Sequence, residues 1–550
     1  MASRPIDLVL LGARVFGYPG GEANAVAVRG DRIAAVGTEP EVRSIAGPRA
    51  DLLDLRGRMI VPGFQDAHVH PADSGRDRLL CDLSGSEDPS EYLDIVAGYA
   101  HGHPEAQWIL GSGWAMSAFP RGIPRREDLD AVVSDRPVFL PSRDGHSAWV
   151  NSRALELAAV TASTADPEDG RIERDPRTGE PLGTLQEGAM RLVEDLVPEP
   201  SSDEWEAGIL EGQRYLHSLG ITAWQDASVE PPMQRAYVSL AERGELTGRA
   251  SISLRWDGQR GQEQVEELLE RRGAWPNLRA GTVKIFLDGV IENFSAYMLE
   301  PYLDADGSPT DNRGISMVDP DRLPGYVSRL HREGFQVHFH AIGDGAVRLA
   351  LDAVEAAVDD HGPRDLRHHV AHIQVVHPDD VPRFARLGVT PNVQALWACH
   401  EPQMDELTIP FLGPDRAARQ YPFASLDRAG ARLAMGSDWG VSSADPLAQI
   451  EVATTRVSLE QRDADPLLPE ERLDPETALT AFTAGSAYLN HLDRETGTIE
   501  PGKLADLAVL DRDVLAAGAG RVGDARVMLT MVGGRVVHGA THTPSGPGIG

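Results

Sequence analysis

The middle of the chain alternates short apolar runs with longer amphipathic stretches. The first run, Met59–Phe64, leads into a candidate strand, and seven later runs have strand length: Ile221–Gln225, Ala250–Leu254, Thr282–Leu287, Gln336–His340, His369–Gln374, Val389–Gln394 and Arg432–Gly436. Helix-sized spacers separate most of them, which favours a parallel sheet covered by helices. Because eight such strands close a (β/α)8 barrel, the pattern predicts an α/β fold with a TIM-like barrel.

Both ends of the chain read as short strands instead. A Gly30-Asp31 hairpin signal separates two β-type runs near the start, and Gly533-Gly534 separates two more near the end. We therefore predict a small β-sandwich domain built from residues 1–61 and 491–550, with the barrel at 62–490. The first spacer is too long for one helix, so an inserted subdomain is predicted after the first barrel strand, at about 75–200.

Composition narrows the class of protein. The 550 residues carry a formal net charge of −32, which disfavours nucleic acid and anionic membranes as partners. The only cysteines, Cys81 and Cys399, are far apart and predict neither a disulfide framework nor a thiolate zinc site. No signal peptide or membrane-length apolar run is evident. We expect a cytoplasmic protein with a small-molecule substrate, and a homodimer as the base-rate assembly.

The first chemical signal is the pair His68 and His70, in the run from Pro62 to His70. Side chains alternate along a strand, so His-x-His at a strand end places both imidazoles on one face. Two neutral imidazole nitrogens form half of a zinc site. The pair alone is weak, because many such pairs are surface coincidences.

Three further signals come at the ends of later runs. A second His-x-His pair, His338 and His340, precedes Ala-Ile-Gly-Asp, and His372 and Asp438 follow in turn. Taken singly, His372 could be a hydrogen-bonded core histidine and Asp438 a helix cap. Catalytic groups of this barrel sit at the carboxyl ends of the strands, where the eight tips converge. The four signals together therefore predict one metal centre.

These segments resemble the amidohydrolase superfamily. The resemblance is to its amidohydrolase 3 group, which includes N-substituted formamide deformylase. It covers nearly the whole chain and rests on six segments: 61–71, 284–289, 340–344, 372–374, 436–439 and 497–507. It is specific to the group and not to a substrate.

The resemblance implies a ligand set drawn from several strands: His68, His70, His340, His372 and Asp438. It also places Lys284 where this group has a strand-4 lysine that can be carboxylated and bridge two metals. The implied cofactor is a divalent metal, Zn²⁺ by expectation, as one ion, or as two if Lys284 is carboxylated. Ala371 and Gly440 depart from the group's usual residues; neither is a ligand position, so they bear on pocket shape and hence on substrate.

The resemblance implies hydrolysis of a non-peptide C–N bond in an N-formyl, N-acyl or cyclic amide. Water activated by the metal would attack the carbonyl, and Asp438 would carry the proton to the leaving nitrogen. A deaminase on the same scaffold is the nearest alternative, and a non-catalytic regulatory protein is the other.

Five more residues are candidates for the substrate pocket: Trp114, His146, Asp288, Asn293 and Trp439. Trp114 and His146 belong to the inserted segment, which we expect over the mouth of the active site. Its aromatic residues could equally form the core of the insertion itself. The other three follow the fourth and eighth strands.

Overall fold

Eight parallel strands form the centre of the molecule. The computed structural model describes residues 6–516 and 519–539. In chain order the barrel strands are Phe64–Val69, Ile221–Val229, Arg249–Arg255, Leu278–Phe286, Gln336–Ala341, His369–His372, Thr390–Val393 and Ala434–Met435. Each is hydrogen-bonded in parallel to the next. This confirms the predicted TIM-like barrel.

The ring closes between the first strand and the residues that follow the eighth. The Asp438 N–H donates to the His68 carbonyl at 2.7 Å, and the His70 N–H donates to the Trp439 carbonyl at 2.8 Å. A side chain at Gly436 would come within 2.5 Å of the His68 nitrogen, so only glycine permits this approach. The two strand ends are thereby held against each other.

Helices pack around the barrel and bury a large apolar core against its strands. Those from the barrel segment are Pro71–Asp77, Ser202–Ser218, Pro231–Arg243, Gln264–Arg271, Leu323–Glu333, Asp344–His361, Val381–Leu387, Ile409–Leu412, Pro414–Ala417, Phe423–Arg428, Pro446–Thr455, Pro475–Thr480 and Ser486–Leu489. Ser201 and Glu204 form a capping box at the second of these. Gly334 ends the fifth at φ 86°, a left-handed conformation that suits glycine. Among the described residues, no helix combines the length and apolarity that a bilayer crossing requires.

Two sheets stand beside the barrel and enclose a separate apolar core. One contains Leu8–Leu11, Ala25–Arg29, Arg32–Gly37 and Asp51–Asp54, and the other contains Arg14–Val15, Met59–Pro62, Leu507–Leu510, Val527–Val532 and Arg535–Gly539. The second sheet joins the two ends of the chain, as the predicted sandwich requires. A short helix, Glu39–Ile45, packs on the first. Residues 1–5, 517–518 and 540–550 of the predicted composite domain lie outside the described residues.

The insertion after the first barrel strand has a six-stranded sheet of its own. Its strands are Cys81–Asp82, Ile109–Ser112, Val138–Pro141, Ser147–Val150, Gly170–Arg174 and Pro181–Glu187. Its helices are Pro89–Gly102, Arg126–Val132, Ser152–Leu157 and Arg191–Glu194. Two apolar clusters lie within this segment. The limits proposed for the three domains stay predictions, because sheet membership alone does not set a boundary.

Glycines allow the helix that directly follows His70, Pro71–Asp77, to pack closely against helix Ser202–Ser218. An added Cβ at Gly75 would lie 2.0 Å from the Gly208 carbonyl oxygen, and one at Gly212 would lie 2.4 Å from the Pro71 carbonyl oxygen. Helix Pro71–Asp77 and helix Ser202–Ser218 therefore touch backbone to backbone. This contact holds the chain that leaves the first barrel strand.

We expect Gly75→Ala to destabilise the protein, because the methyl group meets rigid backbone. Overpacking of this kind costs about 1–3 kcal/mol, which thermal and denaturant unfolding would measure. Gly98 is the matched control: it is helical and nothing lies within 4 Å of an added Cβ. Gly98→Ala should stabilise by about 0.5–1 kcal/mol. Equal stability of the two variants would contradict the close contact.

Candidate metal centre

Three buried side chains from three strand ends meet at one point. His68 lies in the first barrel strand, His372 ends the sixth, and Asp438 follows the eighth. One potential ligand atom from each lies within 4.8 Å of the other two. His372 and Asp438 both have positive φ, 77° and 54°, so the backbone leaves the strand direction where these side chains project.

The two other predicted ligand histidines flank this group. His70 Nε2 lies 3.1 Å from Asp438 Oδ1, and its side chain is 21% exposed, the most open of the set. The His340 ring centroid lies 4.4 Å from that of His372. The structure thus brings all five predicted histidine and aspartate side chains to one region of the barrel mouth.

The charge state of the group suits a cation. Burial lowers the pKa of His68 to about 3 and holds the pKa values of His340 and His372 well below the usual range, so these imidazoles are neutral. Burial alone would raise the pKa of Asp438, but the imidazoles of His68 and His70 hold it well below its usual range. Neutral nitrogen donors around an ionised carboxylate are what a divalent metal needs.

Two ligand atoms of the group also lack well-aligned partners. Within the described part of the chain, His372 Nδ1 and Asp438 Oδ1 are buried and make no hydrogen bond of good geometry, although the Nε2 atoms of His70 and His68 come within 3.1 and 3.3 Å of that oxygen. Buried polar atoms in this state are costly unless another group satisfies them. The residues present therefore fit a bound cation.

His338 contacts His68 from the fifth strand and is not one of the predicted ligands. His338 Nε2 lies 2.8 Å from His68 Nδ1, and His338 Nδ1 lies 3.1 Å from Ser253 Oγ. When His68 Nε2 is unprotonated and free to bind a cation, its Nδ1 carries the proton and donates to His338. His338 then donates from Nδ1 to Ser253. The chain of contacts fixes the tautomer and ring orientation of His68.

Asp66 ties the first strand to the turn after the eighth. Its Oδ1 accepts hydrogen bonds of 3.0 Å from the backbone N–H groups of His68 and Ser437. Burial raises the pKa of Asp66 to about 7. Because one oxygen holds both segments, Asp66 sets the separation between His68 and the residue before Asp438.

Lys284 is fully buried in the fourth strand, in register with His338 on the fifth. Its Nζ lies 4.9 Å from the ring centroid of Phe286. Burial lowers the pKa of Lys284 to about 7. An amine with such a pKa is largely neutral slightly above neutral pH.

The loop after the fourth strand holds two pocket candidates with different surroundings. The carboxylate of Asp288 accepts three backbone hydrogen bonds, from Ile342, Gly343 and Tyr297. It fastens this loop to the end of the fifth strand. Asn293 instead donates to the His146 carbonyl at 3.2 Å, while its buried Oδ1 has no partner in the described residues.

His146 reaches from the insertion to the centre. Its ring centroid lies 5.6 Å from that of His340, and its Nδ1 lies 2.9 Å from Glu187 Oε2. Burial alone would lower the pKa of His146, but the Glu187 carboxylate raises it to about 9. Nothing in the sequence around Glu187 singled it out.

The two tryptophan candidates lie elsewhere. Trp114 is fully buried, donates from Nε1 to the Leu140 carbonyl, and packs against Phe119 and Trp149 inside the insertion. Trp114 therefore belongs to the core of the insertion, which was the alternative to a place in the substrate pocket. Trp439 is 8% exposed and lies 4.6 Å, centroid to centroid, from Tyr215.

Comparison with known proteins assigns this arrangement to a family. The sequence pattern of the amidohydrolase family, in its third group, matches residues 51–538. The chain belongs to the amidohydrolase family. The match covers the barrel and the insertion, and so includes every residue of the candidate centre.

Relatives of this amidohydrolase span nearly its full length. It is 31% identical to the protein LONG AFTER FAR-RED 3 of Arabidopsis thaliana, over 94% of this chain and 88% of that protein. It is 29% identical to an N-substituted formamide deformylase of Arthrobacter pascens, over 93% and 94%. A crystal structure of an uncharacterized metal-dependent hydrolase from Pyrococcus furiosus superposes with a TM-score of 0.71 at 26% identity, over 92% of this chain and 99% of that one. This amidohydrolase is therefore a metal-dependent hydrolase of C–N bonds.

We expect His338→Leu to weaken binding of a divalent metal by this amidohydrolase about 10- to 100-fold, because the Nδ1 proton of His68 loses its acceptor. Titration of the metal-free protein with Zn²⁺ would measure it. His369→Leu is the matched control. His369 is equally buried, its ring centroid is 4.1 Å from that of His338, and neither of its nitrogens has a partner in the described residues. Equal loss in both variants would show a packing effect instead.

Proposed function

We propose that this amidohydrolase releases an amine from an N-formyl, N-acyl or cyclic amide, with Asp438 as the proton carrier. The observation that carries the proposal is the ionised, buried carboxylate of Asp438 at the barrel mouth, with the Nε2 atoms of His70 and His68 at 3.1 and 3.3 Å from its Oδ1. The deformylase from Arthrobacter pascens, similar over almost its whole length, supports a formamide-like substrate.

The proposed metal ligands are His68, His70, His340, His372 and Asp438. Imidazole and carboxylate donors are those that Zn²⁺ prefers in catalytic sites, so we propose Zn²⁺. Such an ion, when bound, polarises a carbonyl and makes water acidic enough to act as a nucleophile at neutral pH.

Asp438 has the chemistry for proton transfer. It is ionised and buried, and His70 and His68 lie 3.1 and 3.3 Å from its Oδ1. In the proposed reaction Asp438 accepts the proton of the attacking water and then gives it to the leaving nitrogen. Protonation of that nitrogen lets the C–N bond break with an amine as the product.

The substrate side of the pocket is proposed to include His146 and Asn293. His146 comes close to the centre from outside the barrel strands, Asn293 donates to its carbonyl, and Asn293 Oδ1 is an acceptor without a partner among the described residues. Trp439 is kept as a wall of the pocket. We assign Asp288 to holding its loop, and we leave Trp114 out because its indole is enclosed by the core of the insertion.

Metal-loaded protein should release amine from at least one member of a panel of formamides, N-acyl amino acids and cyclic ureides. Asp438→Asn should lower kcat by at least about 10²-fold, because the proton acceptor is lost. Circular dichroism should show an intact fold. Asp463→Asn, an exposed change of the same kind, should keep full activity. Normal turnover in Asp438→Asn would remove Asp438 from this role, and ammonia release without carboxylic acid would indicate a deaminase.

We further propose that Lys284 is carboxylated and supports a second metal ion. Its buried amine, with a pKa of about 7, is neutral often enough to react with carbon dioxide, and the product carries oxygen donors of the right charge. In bicarbonate, native mass spectrometry should show one added carbon dioxide and two metals per chain. Lys284→Met, a change of similar volume, should bind one. One metal and no added mass in the wild type would contradict the bridged centre.

A further inference from the structure

Glu187 joins the insertion to the barrel at the edge of the centre. It is the last residue of strand Pro181–Glu187, and its side chain is 7% exposed. Its Oε2 lies 2.9 Å from His146 Nδ1, and its Oε1 accepts a hydrogen bond of 2.5 Å from Ser295 Oγ. Both carboxylate oxygens are thus used, one on the insertion and one on the loop after the fourth barrel strand.

The backbone at Glu187 is strained. Its φ of 50° and ψ of −129° fall in a region that glycine adopts and other residues avoid. Residues held in this way persist only where the surroundings fix them, and they concentrate at functional sites. A glycine would relieve the strain but would remove the carboxylate, so the chain keeps a charged side chain where its backbone is costly.

His146 is held on three sides. Its N–H donates to Asp144 Oδ1 at 3.0 Å, its carbonyl accepts from Asn293, and its Nδ1 faces Glu187. Within the described part of the chain, the hydrogen bond of the His146 ring is made through Nδ1 and not through Nε2. The ring is tilted over that of His340, with 5.6 Å between centroids. The His146 ring, whose Nε2 is free, therefore lies against the proposed metal ligand His340.

We propose that Glu187 is a positioning residue that orients His146, so that His146 Nε2 donates a hydrogen bond to the carbonyl oxygen of the substrate's acyl group. This inference rests on the proposed amide hydrolysis and adds the group that recognises the acyl side. The separation of 2.9 Å between Glu187 Oε2 and His146 Nδ1 is that of a directional, charge-assisted hydrogen bond. A donor so placed would strengthen its bond as negative charge develops on that oxygen.

A purely structural clip is the alternative, since Glu187 also reaches Ser295. A double-mutant cycle separates the two. If Glu187 acts through His146, Glu187→Gln and His146→Gln should each lower kcat about 10- to 100-fold. KM should change by less than about threefold. The double variant should be no slower than His146→Gln alone. Glu180→Gln, an exposed change in the same insertion, is the control and should match the wild type.

Additive losses in the cycle, or a wild-type kcat in Glu187→Gln, would overturn the proposal. All variants must bind the same amount of metal. A loss of bound metal in Glu187→Gln alone would mean that Glu187 supports the metal centre and not His146. Glu187→Gly adds a second check, because it relieves the strain: its thermal midpoint should stay at or above that of the Gln variant while its kcat stays low. A recovered kcat in Glu187→Gly would also reject the role.

Failure of the amide proposal is visible separately, as an inactive wild type on the whole substrate panel. In that case the contact between Glu187 and His146 can be tested without an enzymatic assay. Protein labelled with ¹⁵N-histidine should show a hydrogen-bonded Nδ1 proton for His146 in the wild type and in Glu180→Gln. That signal should be missing in Glu187→Leu, which has no acceptor, whereas the amide oxygen of Glu187→Gln can still accept the proton. Its persistence in Glu187→Leu would show that Glu187 does not hold the ring.

Discussion

The backbone hydrogen bonds between the first barrel strand and the turn after the eighth determine the whole centre. They join the His68 carbonyl to the Asp438 N–H and the His70 N–H to the Trp439 carbonyl. Asp66 reinforces them with one carboxylate oxygen on both segments. Side chains at opposite ends of the barrel sequence therefore share one point in space. Closure of the ring, and not any local motif, creates the site.

Burial sets the protonation states of the side chains at this centre, and it also leaves buried polar atoms without well-aligned hydrogen bonds, which costs free energy. Removing imidazoles and a carboxylate from water keeps the rings of His68, His340 and His372 neutral, but among the described residues it leaves His372 Nδ1 and Asp438 Oδ1 without a well-aligned hydrogen bond. A bound cation would satisfy both atoms at once. The contact from His68 through His338 to Ser253 needs no water, so the first ligand is oriented before any ion arrives. Such preorganisation is what distinguishes a metal site from a cluster of buried histidines.

Sequence reasoning recovered the features that repeat along the chain. Period-two placement at the ends of apolar runs predicted the pairs His68/His70 and His338/His340, His372 was a single histidine at such an end, and eight such runs predicted the barrel. It could not show that His338 faces His68, because that contact depends on the register between the first and fifth strands. Glu187 was missed for the same reason: its partners, His146 and Ser295, come from two other segments. The sequence did not decide whether Trp114 lines the substrate pocket or packs in the core of the insertion, since an aromatic run is typical of both.

The barrel supplies the proposed metal ligands, and the insertion supplies the proposed substrate-binding residue His146. All the proposed metal ligands come from strand ends or the turns that follow them, which eight-fold closure holds rigidly. His146 comes from the insertion. Its carbonyl accepts from Asn293, its partner Glu187 accepts from Ser295, and its ring lies 5.6 Å, centroid to centroid, from that of His340. Asp288 steadies that loop by binding three backbone N–H groups. A change in the insertion can therefore move the acyl-recognising group without disturbing the metal ligands. The proposed ligand residues alone therefore do not name the substrate.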